Sequence, residues 1–263
     1  MSLLENYRER YTCARLSRSD DGILEVSLHT DGGPLLWGVD PHNVHEQIGQ
    51  LFYDIGHDRE NRLVILTGTG DNFCVGGHPS QSLERLGPRW WDRVFKEGKD
   101  LLMNLMDIEV PIIGVANGPA HYHAELLLLS DIVIASERAS FGDTAHIPNG
   151  IVPSDGVHIV WQMLLGINRA RALLLTSQIL PARQALDLGL VHEVVSPGKE
   201  LGRAREHAAR LAVKPDLMLR YSRAAMTQHI KRRLLDDLGF GLAVEGLAAL
   251  SRYGANHEQA KMP

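Results

Sequence analysis

The alternation of apolar and polar residues in ILEVSLHT, residues 23–30, has the period of two of a strand with one buried face, and Gly-Gly-Pro ends it. Residues 41–55 switch to helical spacing, with Val44, Ile48, Leu51, Phe52 and Ile55 on one side. RLVILTG at 62–68 is a short apolar run of the kind a buried strand shows, and the glycine-rich TGTGDNFCVGG after it is a loop. Pro88 opens a long amphipathic helix over 88–107 that turns Trp91, Val94, Phe95, Leu102, Leu105 and Met106 inward. VPIIGVANG at 110–118, DIVIAS at 131–136 and GLVHEVV at 189–195 repeat the strand-and-turn rhythm, so the expected core is α/β with repeated crossovers. From 199 to 252 the period is helical throughout, broken only by Pro215, which predicts two or three consecutive helices. The chain therefore divides into a core over 1–196 and a C-terminal helical region over 197–263. In that region GFGLAVEGLAAL, 239–250, is apolar enough either to pack on its own core or to meet a neighbouring subunit.

Length and charge narrow the function classes. At 263 residues with 44% hydrophobic and 22% charged residues, the chain has the balance of a globular protein with a substantial core. A formal net charge of −5 argues against a nucleic-acid surface, and HIKRR at 229–233 reads as a solvated helix face. Two cysteines, Cys13 and Cys74, make no disulfide framework and fit a reducing compartment. MSLLENYRER is charged too early for a signal peptide, and the apolar LLLLSDIVIA falls short of the ~20 residues a spanning helix needs. The expectation is a soluble cytoplasmic protein.

Four stretches carry residues with chemistry. FCVGGHPS at 73–80 follows a strand, and its paired glycines are either a plain turn or backbone N–H groups open to a ligand oxygen. HYHAE at 121–125 offers three readings: packing, a metal pair with Glu125 as third ligand, or one histidine turned into a cleft as a hydrogen-bond donor. In FGDTAHIPNGIVPSDGVHIVW, 141–161, the loop is long enough to fold Asp155 back onto His146 as a general-base dyad. Asp155 also has the residue type of a helix N-cap. LLWGVDPHNVHEQI, 35–48, brings Trp37, His42 and His45 to a helix start, for which a surface location is sufficient explanation. Trp37, Trp90, Trp91, Phe95 and Trp161 are candidates for an apolar pocket wall.

Taken together, RLVILTGTGDNFCVGG, VPIIGVANGPA, SDIVIASERASFGD, GIVP and LLLTSQILPARQALDLGLVHEVV resemble the crotonase, or enoyl-CoA hydratase and isomerase, superfamily from about residue 15 to 250. The resemblance implies a crotonase-like α/β spiral of ββα units with a C-terminal helical region, assembled as trimers or pairs of trimers. It also implies an enolate or oxyanion held by backbone N–H groups, the first from Gly77. The first hydratase glutamate corresponds to Glu125, but the second falls on Ala145, and His78 stands where the loop aspartate usually follows. These departures are similar to the branch of 6-oxocamphor hydrolase and related β-diketone hydrolases, which cleave a 1,3-diketone with water and use neither CoA nor metal. On that resemblance His146 is the base oriented by Asp155, and His123 holds the enolate oxygen. Glu245 and His45, with His42 competing for the latter place, position substrate or water. Trp37, Gly77 and His78 contact the substrate. An enoyl-CoA or other CoA-thioester enzyme, and a metal-dependent hydrolase built on HYHAE, are the alternatives.

Overall fold

The computed structural model describes residues 3–40, 42–79 and 87–259, the last eight of these by backbone alone. Pro41 and Ser80, at the edges of two of the stretches read above, lie outside them. A six-stranded sheet is built from β1 (Ala14–Arg18), β2 (Ile23–Leu28), β4 (Leu63–Gly68), β6 (Ile112–Ala116), β7 (Ile132–Ser136) and β10 (Glu193–Val195), side by side in that order. β1 runs antiparallel to β2, and all other neighbours are parallel. Between successive large-sheet strands the chain contributes to a smaller layer: β3 (Leu35–Trp37) pairs with β5 (Cys74–Gly77), and β8 (Ser140–Phe141) with β9 (Leu180–Pro181). Ala120 bridges Cys74 and Phe141, which ties these pairs together.

Each repeat thus gives one strand to the large sheet and one to the small layer before a helix. The helices are α2 (Val44–His57), α3 (Pro88–Asp107), the short α4 (Glu125–Leu128) and α5 (Val157–Leu165). This is the spiral of ββα units that the resemblance implies. The remaining helices are α1 (Leu4–Tyr7), α6 (Ile167–Thr176), α7 (Ala182–Asp187), α8 (Glu200–Ala212) and α9 (Asp216–Gln259). The C-terminal region is therefore two helices, and Pro215 marks their break.

The continuous apolar runs of β4 and β6 follow from burial on both faces. Ile65, Ile113, Val115 and Ile134 pack beneath Ala204 and Ala208 of α8, while Val64, Leu66, Ile112 and Val133 enter the main core under α2 and α3. A fully buried side chain of this size contributes about 1.5–3 kcal/mol, so the sheet is the stable platform of the molecule. α9 is pinned to it by Arg223, which is 1% exposed; its Nε donates to Asp131 Oδ2 at 2.8 Å and its Nη1 to the carbonyl of Ile108. The same carboxylate oxygen accepts from the Ile112 N–H at 2.7 Å. In the 239–250 segment Leu242 and Ala249 are buried against the chain's own core, whereas Phe240 and Leu247 are exposed. The buried and exposed apolar residues of that segment therefore lie on opposite faces of the helix.

Candidate active site

The small-layer strands end where the helices begin, and that seam gathers the polar residues. His45 lies in the first turn of α2, whose N-terminus is capped by Asn43. His123 follows the Ala120 bridge and precedes α4; His146 follows β8; Asp155 precedes α5. Glu245 reaches in from α9. His123 (φ 50°) and Asp155 (φ 54°) hold left-handed backbone, which non-glycine residues adopt at a cost of order 1–3 kcal/mol and which is found where the surroundings fix a functional side chain. Gly156 (φ 91°) completes the Asp155 turn; a Cβ there would lie 2.2 Å from Leu102 Cδ1.

Each of the three buried histidines has its own carboxylate. His146 Nδ1 sits 2.8 and 2.9 Å from the two oxygens of Asp143. His123 Nδ1 lies 2.7 Å from Glu125 Oε1, and His45 Nδ1 lies 3.1 Å from Glu97 Oε2. Because a carboxylate only accepts, these contacts assign a proton to each Nδ1. Asp155 stands between two of the rings: its Oδ2 is 3.5 Å from His123 Nε2 and 3.6 Å from His45 Nε2. His146 turns its Nε2 toward Glu245 Oε1 at 3.8 Å. Trp37 stacks on His123 with ring centroids 3.5 Å apart and meets His45 in a T-shaped contact at 5.7 Å.

These contacts correct several sequence readings. Asp155 is not the hydrogen-bonding partner of His146; Asp143, three residues upstream, is, because the 3-10 turn after His146 keeps the ring over its own loop. Nor does Asp155 cap α5, whose N-cap is Gly156 without a side-chain bond. His45 is fully buried, not at a surface helix start, and packs behind Asp155, while the His42 side chain is 90% exposed. His78 is turned away. Gly77, the last residue of β5, pairs with Trp37 and lines the cavity, whereas His78 just beyond it lines a separate pocket with His29 and His42. His121 faces Ser140, with Nε2 2.8 Å from its Oγ, so the two histidines of HYHAE diverge and form no metal pair. Among the described residues no three His, Cys, Asp or Glu side chains are grouped to hold a metal ion. Glu97 and Asp143 were absent from the sequence reading. Asp143 carried a local signal in its i, i+3 spacing to His146, but Glu97 is 52 positions from His45 and carried none.

The cavity enclosed by these groups has a volume of about 250 Å³. Val39, Trp90, Trp91, Val94, Ile151 and Leu242 form its apolar wall, and Tyr122, Asn149, His123, His146, Asp155 and Glu245 its polar side. Trp91 is fixed by an indole N–H bond of 2.9 Å to the carbonyl of Leu242. Of the other aromatic candidates, Trp161 is wholly buried in the core and Phe95 packs against it, so neither lines the cavity.

Burial and neighbouring charge set the protonation states. Burial alone would lower His146, but Asp143, Glu245 and Asp155 outweigh it and carry the imidazole up to about 9. His45 likewise rises to about 9 through Asp155 and Glu97, against its burial. Asp155, despite burial, is held well below the usual carboxylate range by His45, His123 and His146. Glu245 is pushed up to about 7, mainly by burial, with His146 opposing and Asp155 adding to the rise. A cation and an acid that loses its proton near neutrality therefore face each other across the cavity, which is how general acid–base sites are tuned.

The family model for enoyl-CoA hydratase/isomerase matches residues 41–243. The chain belongs to the enoyl-CoA hydratase/isomerase family. Among curated members of this family, a probable peroxisomal enoyl-CoA hydratase of Arabidopsis thaliana is 33% identical over 219 residues, covering 81% of this chain and 77% of its own. A probable enoyl-CoA hydratase of Mycobacterium leprae is 29% identical over 254 residues, covering 91% and 83% respectively. Among solved structures, a β-diketone hydrolase from the cyanobacterium Anabaena sp. PCC 7120, bound to (S)-3-oxocyclohexyl acetic acid, is 45% identical with a TM-score of 0.89. That likeness covers 93% of this chain and 97% of the other. An enoyl-CoA hydratase/isomerase from Mycobacterium paratuberculosis, at 23% identity and a TM-score of 0.82 over 91% of this chain and 94% of its own, shares the family fold.

Proposed function

We propose that this member of the family hydrolyses a carbon–carbon bond of a 1,3-diketone, releasing a keto acid by retro-Claisen cleavage. The observation that carries the reading is the cavity itself. Imidazoles occupy it where a hydratase resemblance calls for paired glutamates, with Ala145 in the second position and Glu125 held by His123. The 45% identity to a β-diketone hydrolase bound to a keto acid supports it.

In the proposed sequence, Glu245 as carboxylate takes a proton from water while the oxygen bonds to one ketone carbon. His146, as imidazolium held by Asp143, hydrogen-bonds the oxyanion and keeps its proton. The tetrahedral intermediate then breaks its bond to the central carbon, and the electron pair passes into an enolate on the second carbonyl. The Gly77 N–H donates to the enolate oxygen, and His123, stacked on Trp37, donates from a protonated Nε2 while its Nδ1–H stays on Glu125. The proton held by Glu245 is delivered to the enolate carbon, and the acid product loses its own proton to water. Asp143 thus replaces Asp155 as the orienting carboxylate of His146, and His146 acts as a cation rather than as a neutral base. Self-association as trimers or pairs of trimers belongs to the same reading, supported by Leu217, Tyr221, Met226 and Phe240 left exposed along α9.

The curated relatives favour a CoA-thioester reaction as the second reading. A panel of cyclic and bicyclic 1,3-diketones assayed by loss of diketone absorbance, beside a panel of enoyl-CoA thioesters, separates the two. Turnover of diketones alone is expected. Hydration of an enoyl-CoA without diketone turnover would overturn the proposal.

A further inference from the structure

A second cleft, of about 600 Å³, opens between α2 and α3 and is lined by Arg10, Asp54, Lys96 and Glu97 among others. It holds none of the three site histidines, yet one of its walls reaches the active site from behind. Glu97 accepts from Arg93 Nη1 at 2.7 Å with one oxygen and faces His45 Nδ1 at 3.1 Å with the other. His45 lines neither this cleft nor the substrate cavity and is fully buried between them. Its Nε2 has no hydrogen-bond partner within reach, and the nearest acceptor is Asp155 Oδ2 at 3.6 Å. A neutral imidazole would leave one of its nitrogens bare against a buried carboxylate. An imidazolium gives each carboxylate a proton to face.

We propose that Glu97 is a positioning residue that holds His45 doubly protonated from behind, so that the anionic Asp155 bordering the cavity is always accompanied by a cation. The consequence is electrostatic. Both the oxyanion and the enolate add negative charge beside Asp155, and a fixed imidazolium offsets the Asp155 charge without occupying substrate space. Among the described residues, the other charged or titratable groups around His45 are His123, whose ring centroid is 6.4 Å away, and Glu245 on α9; Arg93 lies beyond Glu97. Trp37 contributes an uncharged ring in a T-shaped contact. Glu97 therefore stands as the residue that sets the His45 charge from outside the cavity.

The test has two halves, of which only the kinetic one rests on the diketone reading. In the ligand-free protein, ¹⁵N-histidine NMR, with the His45 signal assigned by its loss in His45→Asn, should show both ring nitrogens protonated through pH 8. In Glu97→Gln the titration should move down by about 1–3 pH units, the shift for loss of an adjacent opposite charge. Arg93→Met keeps Glu97 and removes its competing cation, so it should move the titration up, which serves if Glu97→Gln folds poorly. In steady state at pH 8, Glu97→Gln should lower kcat about tenfold, the loss of protonated His45 for a shift of about two units, with KM unchanged.

A wild-type His45 that titrates near its ordinary value, or a variant titration that does not move, overturns the proposal. So does a titration that moves with kcat unaffected. If the wild-type protein turns over no diketone, the functional reading fails, and the titration alone still decides the role of Glu97.

Discussion

His146 Nε2 and Glu245 Oε1 face each other at 3.8 Å, each within the other's field and both almost out of water. Glu245, raised to about 7, is a carboxylate only above that pH, and His146, raised to about 9, is an imidazolium only below it. If both charges are required, kcat/KM should rise as pH passes about 7 and fall as it passes about 9. His146→Gln should leave the alkaline limb to His45 alone, which is also raised to about 9. It should also move the acid limb upward, because Glu245 loses the cation that opposes its burial, and reduce kcat by about 10²–10⁴. A wild-type profile that keeps climbing beyond pH 9 would instead identify His146 as a neutral base.

Gly98 lies on α3 directly beneath Asp155. A Cβ at Gly98 would stand 2.7 Å from Asp155 Oδ1 and 3.1 Å from Leu242 Cδ2. Alanine is otherwise the better helix residue by about 0.8–1.0 kcal/mol. Gly98→Ala should therefore fold with little change in thermal midpoint while losing activity on the order of a hundredfold, since a displacement of about 1 Å at a reacting centre has that effect. Calorimetry and steady-state kinetics on the same preparation check both halves.

Asp131, just before β7, and Arg223 of α9 form an ion pair whose guanidinium is fully buried and whose carboxylate is mostly so. Asp131→Ala leaves the guanidinium buried without its carboxylate and deprives the Ile112 N–H of its acceptor. Urea unfolding should show a loss of about 3–5 kcal/mol. The double variant Asp131→Ala, Arg223→Met should recover part of it, because no buried charge then remains unpaired. Equal losses in single and double variants would show that the pair contributes nothing as a pair.

The fold was largely legible because its signals are local. Pro88 and the apolar period place α3 at the bounds the structure shows, and the two-sided burial of β4 is written in LVILT. Strands of two or three residues such as β3, β8 and β9 escaped, since so few residues carry no period. In the site, His45, His123, His146, Asp155, Glu245, Trp37 and Gly77 converge as expected, but their pairing was not legible. Asp155 and His146 both belong to one loop, and only the left-handed turns at Asp155 and Gly156 decide that the carboxylate swings to His45 and His123. Glu97 reaches the site through the packing of α3 on α2, a tertiary fact with no trace in sequence spacing. His78 lies just past the end of a short strand that the glycine-rich loop reading did not contain, and it lines a different pocket from Gly77.

The unusual backbone at His123 and Asp155 also sets an order of loss. Two turns that are disfavoured on their own persist only while β8, α4 and α5 clamp them, whereas the sheet beneath is held by side chains buried on both faces. Under rising denaturant the seam should relax before the sheet does, so activity is expected to fall before secondary structure is lost.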